Sequence, residues 1–338
     1  MQSKTKREEK VASQFLIIGG APKSATTSLF HYLADHPQIC PANRKETYFF
    51  AREFDRKKVC KSDETLESFE AYFTHCAHSH RIRVEATPYT LYSENSAQKI
   101  ANLLPNPTVL FILRDPVERF LSNYHFQTQR GGHPAAQATL EEFIDWQLRN
   151  RGNIPNLLEL GCYIEYLRPF FDAFERTKVF IMLFEEFKTN PVAEIQKLCM
   201  AMGVDAEFYS GYRFGSHNQT VNVRYSWLNQ ASMNLEPLVT RTRARLMDWP
   251  KVHRVFENAI GIGKSAYRAL NDRGIKNREP IETETLAFLR EYYRSHNQLL
   301  SRELGRPLPW KSFQQALVIC FSALMFVTQQ EWAFFGIQ

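Results

Sequence analysis

The segment Phe15-Leu-Ile-Ile-Gly-Gly-Ala-Pro-Lys-Ser-Ala-Thr-Thr-Ser-Leu-Phe30 decides how this chain is read. Phe15 to Ile18 is an apolar run of the kind that forms a buried parallel strand. Gly19, Gly20 and Pro22 end it. An amphipathic helix follows, with Leu29, Phe30 and Leu33 among its apolar residues. The first amides of such a helix have no internal partner, and the helix dipole adds positive potential there. Lys23 adds a full charge, and Ser24, Thr26, Thr27 and Ser28 add hydroxyl donors. Strand, small-residue loop, lysine and helix start together make an anion site of the phosphate-binding type. An ATP loop would read G-x-x-x-x-G-K-S/T. Here Lys23 comes before the hydroxyl cluster, so that pattern is absent. A strand-turn-helix without a ligand is the plain alternative.

Size and charge bound the rest. The chain has 338 residues, 44% of them hydrophobic and 23% charged, which describes a globular chain with ample core. Lys and Arg number 42 against 36 Asp and Glu, a net charge of +6. That mild excess suits a small polyanion and argues against nucleic acid, which calls for a concentrated basic stripe. The cysteines stand at 40, 60, 76, 162, 199 and 320, with no C-x-x-C pair. Zinc and thioredoxin-like readings are therefore poor, and free thiols in a reducing cytoplasm are expected. Residues 1–13 read as a charged, disordered N-terminus without an apolar signal core. Ala316 to Val327 is apolar but shorter than the roughly 20 residues of a membrane span. A docked C-terminal helix over 311–338 is the expected reading, with a membrane-surface or dimer contact, or an unstructured apolar tail, as the alternatives. The sequence assigns no oligomeric state.

Strand and helix patterns alternate along the chain. Arg81–Thr87, Thr108–Leu113 and Lys178–Phe184 read as strands. Ser93–Leu104, Pro116–Gln129, Leu140–Arg149, Tyr163–Phe174 and Pro191–Met202 read as helices. Asp115, Pro116 and Glu118 form a start signal with the pattern of a capping box. After Gly203 the strand patterns cease. Helical patterns follow at Tyr225–Met247 and Glu282–Leu304, joined by a basic connector. The fold class is α/β, a central parallel sheet flanked by helices, with a helical C-terminal extension.

A second anion site follows the same logic. Arg114-Asp115-Pro116-Val117-Glu118-Arg119-Phe120-Leu121-Ser122-Asn123-Tyr124 leaves a buried strand and opens a helix. Arg114 stands at the strand's carboxyl end, where open α/β sheets bind ligands, and arginine suits forked phosphate recognition. A structural cap with an exposed arginine is the bland reading of this block taken alone.

Together these segments resemble the sulfotransferases that use 3′-phosphoadenosine 5′-phosphosulfate (PAPS). Pro22-Lys23-Ser24-Ala25-Thr26-Thr27-Ser28-Leu29 resembles their 5′-phosphosulfate loop, and R-D-P-x-x-R-x-x-S-x-Y their 3′-phosphate motif, with Arg114 and Ser122 as the matching contacts. Lys45-Glu46-Thr47-Tyr48-Phe49-Phe50 and Glu85-Ala86-Thr87-Pro88-Tyr89 resemble segments of the heparan sulfate sulfotransferase-like group, including its bacterial members. The resemblance covers about residues 14–310, read as the sulfotransferase domain. It implies a P-loop-like nucleotide-hydrolase fold, PAPS as cosubstrate, adenosine 3′,5′-bisphosphate as product and no metal.

Family roles follow residue by residue. Lys23 is the cation for the leaving bridging oxygen, and Glu46 the base for the acceptor. Glu46 read without the resemblance is a solvated carboxylate after a turn. Lys23, Ser24, Ala25, Thr26, Thr27, Ser28, Arg114, Ser122, Tyr163 and Arg224 are candidate nucleotide contacts. Tyr163 alone reads equally as a core residue, and Arg224 as a surface arginine. Lys45, Tyr48, Thr87, Pro88, Tyr89 and His133 are candidates for the acceptor side.

Three residues depart from the family pattern. Ala25 stands where glycine is usual, at a cost of about 1–2 kcal/mol if φ is positive there. Tyr48 replaces a histidine, and Ala86 replaces the lysine of the polysaccharide enzymes. The expectation is a cytoplasmic sulfotransferase acting on a hydroxyl or amine of a small-molecule, natural-product acceptor. A carbohydrate acceptor is the runner-up. A P-loop kinase and a non-catalytic adenosine bisphosphate-binding protein stand behind it.

Overall fold

The computed structural model describes residues 14–55, 58, 60, 63–130, 138–151, 156–215, 235, 239, 242, 250–271 and 281–313. Five strands form one sheet: β1 (Gln14–Gly20), β2 (Ile39–Pro41), β3 (Ile82–Glu85), β4 (Pro107–Leu113) and β5 (Val179–Leu183). Their order is β2-β3-β1-β4-β5. Every pairing is parallel, so all carboxyl ends leave the sheet at the same edge. The helices are α1 (Thr26–Ala34), α2 (Leu66–Glu70), α3 (Ser96–Leu103), α4 (Pro116–Arg130), α5 (Leu140–Arg149), α6 (Tyr163–Ala173), α7 (Phe184–Thr189), α8 (Pro191–Met202), α9 (Pro250–Asn271) and α10 (Thr283–Leu304). Two compact units divide the chain, with bounds at Arg119/Phe120, Glu159/Leu160, Asn218/Gln219 and Ala287/Phe288.

The first unit holds the sheet. β1 buries both faces, as its unbroken apolar run requires. Leu16 and Ile18 join Leu29 and Leu33 of α1 and Ile195, Leu198 and Met202 of α8 in one core. Phe15 points the other way, onto Phe69 (ring centroids 5.5 Å apart) and Phe73 (5.9 Å). This alternation along β1 is the period-two geometry of a strand. Gly19 is needed for space, because a Cβ there would lie 2.5 Å from Phe111 Cε1.

In the second unit, α5 opens with a full capping box. The Thr139 hydroxyl accepts from the Glu142 amide and the Glu142 carboxylate accepts from Thr139 N–H. Phe143 of α5 packs against Phe120 and Tyr124, and the Asn156 side-chain amide donates to the Gln147 carbonyl.

The structure corrects four expectations. The short edge strand β2, three residues long, adds a fifth strand that carries too few residues to give a periodic signal in the sequence. The basic connector before Glu282 contains α9, whose positive charges concealed its helical pattern. Asp115 does cap α4, accepting from Val117 N–H at 3.0 Å, but the capping box is not completed. The Asp115 amide donates to Glu185 Oε1 at 3.0 Å, and Glu118 pairs with Arg114. Finally, Cys40 and Cys76 are not free thiols. They form a disulfide. Closing a loop of sequence separation 36 stabilises the fold by about 4 kcal/mol in the chain-entropy account. Spacing could not reveal the pair, because the fold brings β2 beside the segment after α2. The expected helix Tyr225–Met247, the charged N-terminus and the apolar stretch Ala316–Val327 lie outside the described residues or almost wholly so. No helix among the described residues is long and apolar enough to cross a membrane.

Candidate active site

The loops after β1, β2, β3 and β4 carry Lys23 to Ala25, Lys45 to Tyr48, Thr87 to Tyr89 and Arg114, and the parallel sheet brings all four loops to its carboxyl edge. After β1 the chain turns sharply. Lys23 has φ 70° and Ala25 φ 66°, both in the left-handed region. Ala25 is the N-cap of α1 and offers no side-chain hydrogen bond, and the first turn of α1 has no acidic residue. The start of α1 therefore keeps its electropositive character. The Ser24 hydroxyl is buried, with no hydrogen-bond partner among the described residues. A buried hydroxyl without a partner is costly, and an anion accepting from it would relieve that cost. Thr26 is buried and Thr27 half-buried at the helix start. Ser28 hydrogen-bonds to Tyr32, whose own hydroxyl donates to the Gly215 carbonyl.

Arg114 links this loop to the end of β4. Its Nη1 donates to the Lys23 carbonyl at 3.3 Å, its Nη2 contacts Glu118 at 3.2 Å, and the guanidinium lies 5.0 Å from the centre of the Phe184 ring. Behind it, the buried Tyr163 hydroxyl donates to the Arg114 carbonyl at 2.8 Å. Tyr163 thus steadies Arg114 from within the core. Burial raises the Tyr163 phenol far above its ordinary range, so it stays a donor. No motif in the sequence singles out Glu185, which joins β4 to the C-terminal segment. Its two oxygens accept from Asp115 N–H and from Trp310 Nε1, each at 3.0 Å. Asp115 also accepts from the Ser312 amide (3.0 Å) and hydroxyl (2.8 Å). Burial raises the carboxyl pKa of both Asp115 and Glu185. The second arginine of the motif, Arg119, is fully buried among Tyr92, Tyr163 and Tyr293 and is structural.

The loop after β2 presents Glu46. Glu46 and Tyr48 also have positive φ, 63° and 56°. Four of the seven non-glycine residues with positive φ among those described thus lie in these two loops. Strain concentrated this way marks loops whose conformation the surroundings impose. The Glu46 side chain is 38% exposed. Lys45 Nζ contacts its Oε1 at 2.7 Å, and the Tyr48 hydroxyl donates to its Oε2 at 3.0 Å. Each carboxylate oxygen keeps a second lone pair, so Glu46 can still accept a proton. Tyr48, which replaces the family histidine, therefore steadies the carboxylate itself. Burial, reinforced by Glu46, keeps the Tyr48 phenol protonated far above its ordinary range.

The loop is pinned from below. Glu46 N–H donates to the Ala86 carbonyl at 3.1 Å. Glu85 Oε1 accepts from the Thr47 amide (3.1 Å), the Thr47 hydroxyl (2.9 Å) and the Thr87 hydroxyl, and Tyr48 N–H donates to Thr87 Oγ1 at 3.1 Å. Glu85 is buried, and that burial raises its pKa against these donors. Phe49 and Phe50 pack on Phe69, with ring centroids 5.0 and 5.1 Å apart. Losing so central a ring would cost about 3–5 kcal/mol, more than any one polar contact in the loop. Pro88 approaches the first loop from the other side. A Cβ on Gly20 would lie 3.0 Å from its carbonyl oxygen. Tyr89 stacks on Phe54, with centroids 4.9 Å apart.

Ser122 is buried on α4, within the second unit. His133 and Arg224 lie outside the described residues.

A parallel sheet edge carrying an uncapped helix start, a lysine loop and an arginine at the next strand end defines a P-loop-like α/β protein. A family model described as "Sulfotransferase domain" matches residues 13–241. The chain belongs to the sulfotransferase domain family.

Its relatives include the membrane-associated sulfotransferase kil1 of Dictyostelium discoideum, 34% identical over 38% of this chain and 27% of that protein. A mouse bifunctional heparan sulfate N-deacetylase/N-sulfotransferase 3 is 24% identical, covering 88% of this chain and 30% of the relative. Mouse heparan sulfate glucosamine 3-O-sulfotransferase 3A1 is 22% identical, over 87% of this chain and 63% of its own length. The chain thus spans about a quarter to under two thirds of these relatives. A sulfotransferase from Alicyclobacillus acidocaldarius shares the fold, with TM-score 0.50 and 23% identity over 69% of this chain and 95% of that one.

Proposed function

We propose that this chain transfers the sulfuryl group of PAPS to a hydroxyl or amine of a small-molecule acceptor. The observation that carries the donor assignment is the loop at α1, where Ser24 has a buried hydroxyl without a partner among the described residues and Ala25 supplies no side-chain cap. Such a loop fits a 5′-phosphosulfate. Arg114, tied to the same loop through the Lys23 carbonyl, fits the second phosphate of the nucleotide. Transfer is an in-line displacement: the acceptor oxygen or nitrogen bonds to sulfur as the bridging oxygen leaves with its electron pair. Glu46 takes the acceptor proton, and Lys23 stabilises charge on the leaving oxygen. Tyr48, Lys45 and Glu85 act as positioning residues for Glu46.

The acceptor preference rests on residue 86. Ala86 is fully buried where the polysaccharide enzymes have lysine, so no cation is offered there. Similarity to heparan sulfate enzymes over most of the chain favours a carbohydrate acceptor as the second reading.

Thermal unfolding with adenosine 3′,5′-bisphosphate, with ATP–Mg²⁺ and with neither tests the donor site, because a ligand bound only by the native state raises the midpoint. The bisphosphate alone is expected to do so, and equal stabilisation by ATP–Mg²⁺ would favour a kinase. Transfer from labelled PAPS to panels of small phenols, alcohols and amines, and of glycan chains, then assigns the acceptor. Lys23→Ala is expected to lower transfer by about 10²–10³. Undiminished transfer in both Lys23→Ala and Arg114→Ala would refute the mechanism.

A further inference from the structure

A second cluster of reactive groups lies at β2, apart from the residues assigned to sulfuryl transfer. Cys40 Sγ, Cys76 Sγ and a ring nitrogen of His80 lie within 4.8 Å of one another. His75 Nε2 is 3.6 Å from Cys40 Sγ. Two thiolates and one or two imidazoles are the donor set of a tetrahedral zinc site. The spacing Cys76-x-x-x-His80 places both ligands on one turn, and Cys40 arrives from the strand beside it. The strand order supplies what cysteine spacing in the sequence did not.

We propose that these residues have two states: the disulfide in the oxidised protein, and a Zn²⁺ site of Cys40, Cys76 and His80 in the reduced protein. His75 or water would fill the fourth position. A phosphine or dithiol supplies the two electrons, and the disulfide takes up two protons to give two thiols. Zn²⁺ then displaces both protons and forms two zinc–thiolate bonds. The sulfurs part from bonding distance to about 3.8 Å, the span of two Zn–S bonds of about 2.3 Å at a tetrahedral angle. In the disulfide form His80 is held aside, since its Nδ1 accepts from the Ala77 amide at 2.9 Å. Metal binding by either ring nitrogen ends that contact, because Nδ1 must then carry the metal or the proton. Exchange is therefore a local rearrangement of residues 75–80. It occurs where β2 runs on toward Glu46, held there by the Asn43 amide donating to the Tyr72 carbonyl at 2.9 Å.

The test uses the full chain, reduced with a phosphine, freed of it without air and titrated with Co²⁺ and then Zn²⁺. Reduced protein is expected to develop thiolate-to-cobalt charge-transfer absorption that Zn²⁺ abolishes, and oxidised protein to develop none. Cys76→Ser should lose the band. His80→Ala should weaken Zn²⁺ binding beyond the roughly tenfold cost of losing even an outer-shell partner. His78→Ala and Cys60→Ser should leave it unchanged. The proposal fails if folded, fully reduced wild-type protein shows no charge-transfer band with Co²⁺ in excess. It fails equally if His80→Ala binds as tightly as His78→Ala, or if the band follows Cys60.

Discussion

Arg114 Nη1 donates to the main-chain carbonyl of Lys23 at 3.3 Å, joining the loop after β1 to the end of β4. The two loops, 91 residues apart in sequence, are thereby joined. Replacing Arg114 with alanine should remove both a ligand cation and this brace. Adenosine bisphosphate affinity should fall about 10–100-fold, the worth of a charge-assisted hydrogen bond. Arg114→Lys keeps the charge without the fork and should fall between. Calorimetric titration of the three proteins measures this.

Ser24→Ala separates folding from binding. It removes a buried hydroxyl that lacks a partner among the described residues, so the unliganded protein should unfold at the same midpoint or a higher one. The midpoint shift caused by the bisphosphate should shrink, matching a weakening of about tenfold. A stability loss with an unchanged ligand shift would show that the hydroxyl has an internal role.

Ala25 holds φ 66°, a conformation glycine adopts freely. Ala25→Gly relieves that strain but adds freedom to the unfolded chain. The relief is larger, and stability should rise by on the order of 1 kcal/mol. Denaturant unfolding of the two proteins decides the sign.

Tyr48→Phe deletes the hydrogen bond to Glu46 Oε2 and little else. Losing about 1–1.5 kcal/mol of orientation should lower kcat about tenfold. Affinity for the bisphosphate should not change, since the Tyr48 hydroxyl reaches Glu46, which the proposed function places on the acceptor side. A loss of nucleotide affinity instead would place Tyr48 in the donor site.

Glu85 supplies a pH test. Burial raises its pKa above the ordinary 4.5. Between 4.5 and the raised value the native state holds the proton that the unfolded chain has lost, so this contribution to stability falls as pH rises. Glu85→Gln keeps an acceptor for Thr47 and Thr87 without a titrating group. Wild type and variant should match near pH 4.5 and diverge toward neutrality, with the variant the more stable. Urea unfolding across that range checks it, and a constant difference would contradict the assignment.

The long apolar strands β1 and β4 and the helix starts that follow them are legible in the residues alone, because period, capping and charge are local properties. The sequence also exposed the strain at Ala25, since the glycine expected there is missing. Tertiary structure decided what long-range packing controls. It placed Tyr48 on Glu46 through a loop pinned by Glu85, put Tyr163 behind Arg114, and gave Glu185 its grip on Asp115 and Trp310. It also joined Cys40 to Cys76 across 36 residues. No local pattern carries those pairings, because they arise only when a parallel sheet sets the ends of distant strands side by side.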